Sequence, residues 1–285
     1  MSSRLPNVNY EHIFIDNAST DATVKELRKI ATDLKNVKVI VNSRNVGPFR
    51  NMYAAMAKAS GKAVIPMLPA DLQDPADKIP DLYQEWLKGY LVVYGRRTNR
   101  QESLMMRALR WLYYRIVQTM SDTDIPINSG EFMLIDRKIS DEICKTGDYY
   151  PYIRGLVAQS TSNSTSVPYT WVARKKGKSK SNVLALIDQG INGFVSTSRA
   201  PARIALLGGF LTSGLGFLAG LWSLIANLID APTALQGIPT LIVGLFFFGG
   251  IQLFSLGLIG EYVLSIHSQV RRLPKEFEVE SINFK

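Results

Sequence analysis

The sequence predicts an α/β domain built on a mostly parallel sheet, followed by a two-helix transmembrane hairpin. Over the first part of the chain, short apolar runs alternate with helical patterns, the mark of successive βαβ units. Two runs without any charged residue follow, from Ile204 to Ile229 and from Ala231 to Gly260. Each exceeds the ~20 residues needed to cross a ~30 Å hydrocarbon core. Basic residues flank the pair: Arg199 and Arg203 before it, Arg271, Arg272 and Lys275 after it, and none in the linker around Asp230-Ala231-Pro232. The positive-inside bias therefore places both termini in the cytoplasm.

The elements follow in order. HIFID (12–16) is a short apolar strand ending in an acid. Thr23 and Glu26 have capping-box spacing, and the helix VKELRKIATDL follows. VKVIVNS (37–43) reads as the second strand, GPFRNMYAAMAKAS (47–60) as a helix and KAVIPML (62–68) as the third strand. A helix near 78–88 and the strand YLVVYG (90–95) come next. The stretch 103–118 mixes Leu, Met, Trp and Tyr with Arg107, Arg110 and Arg115. It reads as a basic amphipathic helix in the headgroup plane, or as a core helix with a basic edge. Residues 182–198 read as a second interfacial helix feeding the first span. The domains expected are 1–181 soluble, 182–201 interfacial, 202–265 transmembrane and 266–285 a cytoplasmic tail.

Composition narrows the chemistry. With 285 residues there is room for one large domain, or for one domain plus an appendage. The net charge of +9 calls for an anionic partner: nucleic acid, phosphorylated substrate or anionic lipid. A single cysteine, Cys144, excludes an internal disulfide framework and a cysteine-rich zinc site. His12 and His267 lie far apart in sequence, against a histidine metal site or triad. Residues 1–10 are polar and form no signal peptide. The spans hold no charged residue to mark a transport path. The Asn-Ser-Thr triplet at 163–165 is no glycosylation site on a cytoplasmic face.

The candidate site residues gather where strands end. Ligands on open α/β sheets bind beyond the carboxyl ends of the strands. Asp16, Asn17, Asp71 and Gln73 all fall at such ends. In MLPADLQDP (67–75), Asp71 and Gln73 occupy alternate positions past a strand and offer hard oxygen donors to Mg²⁺ or Mn²⁺. The competing reading is that Asp71 or Asp74 caps the following helix. RKKGKSK (174–180) supplies Arg174, Lys175, Lys176, Lys178 and Lys180 with the Ser179 hydroxyl between them. Such a run grips a phosphate or is drawn to anionic headgroups. Arg97 and Arg100 are further phosphate contacts, or ordinary basic residues of a surface loop.

Several motifs occur in an order that resembles family 2 glycosyltransferases, which have the GT-A fold. DNASTDAT (16–23) is similar to their D-D-G-S-T-D-G-T, and PADLQDP (69–75) to their D-A-D-L-Q-D-P. GRRTNRQES (95–103), NSGEFMLIDR (128–137), RKKGKSK and GEYV (260–263) follow in matching order. With the hairpin, the whole chain resembles the polyprenyl-phosphate glycosyltransferases. That resemblance implies transfer of a sugar from a UDP- or GDP-linked donor to a polyprenyl phosphate at the bacterial plasma membrane, with inversion. It also implies a divalent cation, a homo-oligomer packed through the membrane helices and no nucleic-acid partner. Carried over by motif, Glu131 and Asp71 are catalytic, and Asp71 and Gln73 hold the metal. Asp16, Asn17, Asp71, Gln73 and Arg97 bind the nucleotide sugar; Arg100, Arg174, Ser179 and Lys180 bind the lipid phosphate.

The chain also departs from the pattern. Asn17, Pro69 and Glu131 each replace an Asp, and Ser181 stands where a Tyr is common. The residues before Asp16 do not match the strand and V-P-x-Y-N-E turn with which members begin, so the first strand and part of the nucleotide pocket are expected to be missing. The rival expectation is a non-catalytic relative serving as a membrane scaffold or as a binder of lipid phosphate or nucleotide.

Overall fold

A computed structural model describes residues 4–98, 126, 128–149, 151–171, 200–229, 238–271 and 277–284. Strands β1 (His12–Asp16) and β2 (Val37–Asn42) pair in parallel, with helix α1 (Thr23–Asp33) between them in sequence. Leu27 and Ala31, four apart and so on one helix face, pack on Val37, Val39 and Val41. The start of α1 differs from the capping box expected. Ala22 is the N-cap, and the Asp21 carboxylate takes the Thr23 N–H at 2.9 Å. An acid two residues upstream reaches that N–H directly, so Thr23 enters the helix instead of capping it.

Helix α2 (Pro48–Lys58) begins after Gly47, whose φ of 85° suits a residue without Cβ, and has Pro48 in its first turn. Met52 and Met56 on α2 join one core with Val64, Val92, Tyr94, Met133 and Ile135. Strand β3 is only Ala63–Val64, much shorter than the run 62–68 expected. Pro66 removes a ladder donor two residues on. A 3₁₀ turn (Ala76–Lys78) leads into α3 (Ile79–Leu87). Then come β4 (Val92–Thr98), β5 (Ser129–Asp136), α4 (Arg137–Thr146), α5 (Ile153–Ser160) and β6 (Ser164–Thr170).

Alternation along β4 and β5 sorts their side chains into two layers. Val92, Tyr94, Met133 and Ile135 join the α2 side, while Val93, Phe132 and Leu134 pack with Ile79 and Leu82 of α3. These strands are buried on both faces, as expected for a sheet covered by helices on each side.

The sheets are mixed rather than mostly parallel. One has the order β1-β2-β7 and the other β3-β5-β4-β6. β1/β2 and β4/β6 are parallel; β2/β7, β3/β5 and β4/β5 are antiparallel. Hydrophobic periodicity records that a strand is covered, not which way its neighbour runs.

Helices α6 (Ala200–Ile229) and α7 (Ile238–Val270) are the hairpin helices, and each contains a stretch long and apolar enough to cross a membrane. Their large side chains face outward: Phe210 is 82 % exposed, Trp222 75 % and Phe246 74 %. An apolar surface of this extent marks an interaction with an apolar phase and fits membrane association. α7 continues to Val270, and residues 278–282 are not a tail. They form β7 (Glu278–Ile282), antiparallel to β2. The expected interfacial helices at 103–118 and 182–198, and the boundary at 181, lie outside the described residues.

Candidate functional site

Because β5 runs antiparallel to β4, its amino end lies beside the carboxyl end of β4, with Arg96 opposite Ser129. Arg97, Gly130 and Glu131 therefore share one end of the sheet. The Arg97 side chain lies across β5 at Gly130, where a Cβ would meet its guanidinium at 2.8 Å. A side chain at position 130 would push the guanidinium away from this place.

Arg97 is held there by Asp74. The guanidinium donates from Nη2 to both Asp74 oxygens at 3.2 Å, and from Nε to the Tyr169 hydroxyl at 2.9 Å. Tyr169 in turn donates to Asp74 Oδ1 at 2.5 Å. Asp74 is buried, and burial opposes the Arg97 charge; the Asp74 carboxylate and the Tyr169 hydroxyl outweigh it and hold the guanidinium above its ordinary pKa. Burial, then the bond to the Asp74 carboxylate, pushes the Tyr169 phenol up. The triangle ties the 69–75 loop to β4 and β6. Arg97, expected at the sugar nucleotide, thus has two of its nitrogens engaged within the protein.

Glu131 is paired as well. Its Oε1 lies 3.0 Å from Arg154 Nε on α5, and Arg154 also donates to the Ser129 carbonyl at 3.2 Å. The contact fixes the carboxylate beside Gly130 at the start of β5, where its oxygens can accept bonds from hydroxyl groups of a substrate.

The stretch 67–75 has a settled local structure. Pro69 to Leu72 form a turn in which the Leu72 N–H reaches the Pro69 carbonyl at 3.3 Å. Asp71 Oδ1 accepts from the Gln73 N–H at 3.1 Å, and Leu72 takes a left-handed φ of 57°. Such conformations in residues with a Cβ gather at functional loops. Neither acid caps a helix. The 3₁₀ turn starts after Pro75, while Asp71 closes its own loop and Asp74 pairs with Arg97.

Asp16 and Asn17 stand at the carboxyl end of β1. Asp16 Oδ2 accepts from the Ser19 N–H at 2.9 Å. Asn17 accepts from the Val46 N–H at 2.9 Å and donates to Asn45 at 2.8 Å, so it latches the loop after β2. The described contacts thus form two groups, Asp16 and Asn17 on one sheet and Asp74, Arg97, Glu131 and Arg154 on the other.

Arg100, Arg174, Ser179 and Lys180 lie outside the described residues. Among the described residues, no three His, Cys, Asp or Glu side chains are placed to hold a metal ion. Asp71 and Gln73 supply one carboxylate and one amide oxygen, a donor set of the right kind for a hard cation that takes its other oxygens from water and phosphate. Burial pushes the Cys144 thiol up, which makes it a poor nucleophile.

Sequence reasoning missed Tyr169 and Arg154, which carry no motif, and treated Asp74 as a possible cap. An acid between Gln and Pro in an otherwise polar loop was the available sign for Asp74.

The glycosyl transferase family 2 model matches residues 3–144. The chain is 35% identical to the uncharacterized glycosyltransferase YkcC of Bacillus subtilis, over 93% of this chain and 82% of that protein. It is 33% identical to the uncharacterized glycosyltransferase sll0501 of Synechocystis, over 94% of this chain and 84% of the relative. It is 31% identical to the SfII prophage-derived bactoprenol glucosyl transferase of Shigella flexneri, over 93% of this chain and 85% of the relative.

Proposed function

Because the chain belongs to glycosyl transferase family 2 and is a glycosyltransferase, we propose that it moves a sugar from a nucleotide-diphosphate donor to a polyprenyl phosphate, inverting the anomeric carbon. The observation that carries the acceptor is the likeness to a bactoprenol glucosyl transferase along both chains, hairpin helices included.

In this reading an oxygen of the lipid phosphate attacks the anomeric carbon. The bond from that carbon to the diphosphate breaks, and the nucleoside diphosphate leaves with the electron pair. A phosphate monoester has a second pKa near 6 and is largely ionised at pH 7, so little proton abstraction is needed. Glu131, paired with Arg154, positions sugar or acceptor groups. Asp71 and Gln73 would hold Mg²⁺ or Mn²⁺, which when bound supplies Lewis-acid stabilisation of the leaving diphosphate. Asp16 and Asn17 bind the nucleotide. Arg97 stabilises the loop that presents Asp71. Arg100, Arg174, Ser179 and Lys180 are proposed for the acceptor phosphate. Pro69 leaves this centre with fewer carboxylates than the family pattern, so cation binding depends on the diphosphate.

The test incubates the membrane-embedded protein with radiolabelled nucleotide sugars and undecaprenyl phosphate. Label should enter the lipid phase with one donor, and Asp71→Asn should abolish it. Nucleotide binding without any transfer would overturn the enzymatic reading in favour of a non-catalytic binder.

A further inference from the structure

The last turn of α7 grips the connection between α4 and α5. Helix α4 stops at Gly147, which takes a left-handed φ of 63°. The Tyr53 hydroxyl on α2 accepts from the Gly147 N–H at 3.1 Å and donates to the Cys144 carbonyl at 2.8 Å. The next two residues turn to α7. Gln269 Oε1 accepts from the Tyr149 N–H at 3.2 Å, and Gln269 Nε2 donates to Asp148 Oδ1. One side-chain amide thus spends its donor and its acceptor on adjacent residues. Tyr149 is buried, with the Arg50 guanidinium of α2 3.8 Å from its ring centroid and bonded to its hydroxyl at 2.8 Å.

The connection leads straight to the candidate site. Pro151 is buried, and α5 begins at Ile153. Ile153 and Val157 seat the core face of α5. They hold the helix axis but not the direction of a long side chain in its first turn. Arg154 lies in that turn, its guanidinium 5.4 Å from the Tyr152 ring centroid. It reaches Glu131 at 3.0 Å and the Ser129 carbonyl at 3.2 Å. Each residue of chain spans at most ~3.6 Å, so the few residues from Tyr149 to Arg154 leave little slack. A displacement of Tyr149 passes to the first turn of α5.

The length of α7 brings Gln269 to this place. Its apolar stretch Gly244–Val270 has 27 residues. At ~1.5 Å per residue that is ~40 Å, more than the ~30 Å of a hydrocarbon core. The last turns therefore have length to spare beyond the lipid, where they meet the domain.

We propose that Gln269 is a positioning residue for the transfer site. By holding Asp148 and Tyr149 it fixes the first turn of α5, and through Arg154 it fixes the Glu131 carboxylate. Gln269 itself touches no substrate. This role rests on the part in transfer assigned to Glu131 above. The hairpin then completes the framework of the site as well as anchoring it.

The test compares the full chain in phosphatidylcholine nanodiscs with variants at positions 148, 268 and 269. One readout is amide hydrogen exchange at Leu156, whose N–H bonds the Tyr152 carbonyl at 3.0 Å at the start of α5. The other is transfer of sugar to undecaprenyl phosphate. Gln269→Ala should speed exchange at Leu156 about tenfold. It should lower kcat about tenfold and leave the donor KM within about twofold. Ser268→Ala removes a hydroxyl bonded inside α7 to the Ser265 carbonyl at 2.7 Å and should change neither readout. Gln269→Glu sets a second carboxylate against Asp148 and should act as Gln269→Ala does. Adding Asp148→Asn exchanges donor for acceptor and should restore both readouts. Unchanged exchange in Gln269→Ala would overturn the bracing of α5. Faster exchange with unchanged kcat, or no recovery in the double variant, would overturn the positioning of Glu131 and leave a simple anchor. A parent that transfers no sugar would overturn the glycosyl-transfer reading instead, and exchange at Leu156 would still decide the bracing.

Discussion

At the scale of single residues, Asp74, Arg97 and Tyr169 form the element of the site with the largest predicted energetic consequence. Asp74 is 3 % exposed. Replacing it with Asn leaves the Arg97 charge buried without its carboxylate, an effect of about 3–5 kcal/mol. Tyr169→Phe removes one hydroxyl shared by both partners and should cost about 1–3 kcal/mol. Urea titration of each single variant and of the pair checks both figures; additivity within error would show that the three groups do not act as one network. His12 makes a pH-dependent contribution. Burial lowers its pKa below the usual value of 6.5, and its ring stacks on Phe14 at 4.1 Å. The unfolded chain then takes up the proton before the folded one. Stability from the neutral ring is complete above pH ~6.5 and is lost as pH falls below it. His12→Phe should therefore flatten the decline in melting temperature between pH ~7 and ~5 relative to the parent. Parallel declines would show that other groups set the acid sensitivity.

At the scale of elements, β7 shows how a polar strand becomes part of a sheet. Its covered positions are Glu278, Glu280 and Ile282, while Val279 is 66 % exposed. Apolar alternation alone would turn Val279 inward. The glutamates win because Lys58 pairs with Glu278 and Arg28 with Glu280. Asn283, at a left-handed φ of 64°, closes the strand by donating to the Ala31 and Val37 carbonyls at 2.7 and 2.8 Å. Removal of residues 277–285 exposes the β2 edge. The shortened protein should melt at a lower temperature and self-associate through that edge, as size-exclusion chromatography in detergent would reveal. A monodisperse shortened protein with the parent's melting temperature would show that β7 contributes nothing. Val279→Lys, on the open face, should change stability by no more than about 0.5 kcal/mol.

At the scale of the whole molecule, β7 decides a question of topology. It follows both hairpin helices in sequence yet pairs with β2, which precedes them. The two ends of the hairpin therefore lie on one side of any membrane the helices cross. Gln269, in the last turn of α7, reinforces this by accepting from the Tyr149 N–H at 3.2 Å and by bonding to Asp148. In a Cys144→Ala background, a cysteine at Ser281 should react only with reagent supplied from the cytoplasmic side. One at Ala231 should react only from the opposite side. Labelling of both from one side would refute a crossing hairpin.

The elements whose signals are local can be read from the chain alone. HIFID, VKVIVNS, the helix from Pro48 and the two uncharged runs each carry their period or length within a few residues, and all have their counterparts in the fold. The motifs 16–23 and 69–75 likewise pointed to the family that the comparison with known proteins supports. Which partners those elements meet emerges only in three dimensions. Strand direction, the return of β7 and the assignment of Asp74 to Arg97 and Tyr169 join residues 23 to 252 positions apart. The physical reason is that hydrophobic period reports whether a side chain is covered, whereas hydrogen bonds and ion pairs depend on what covers it. Strand order sets that, and no short window of sequence contains it.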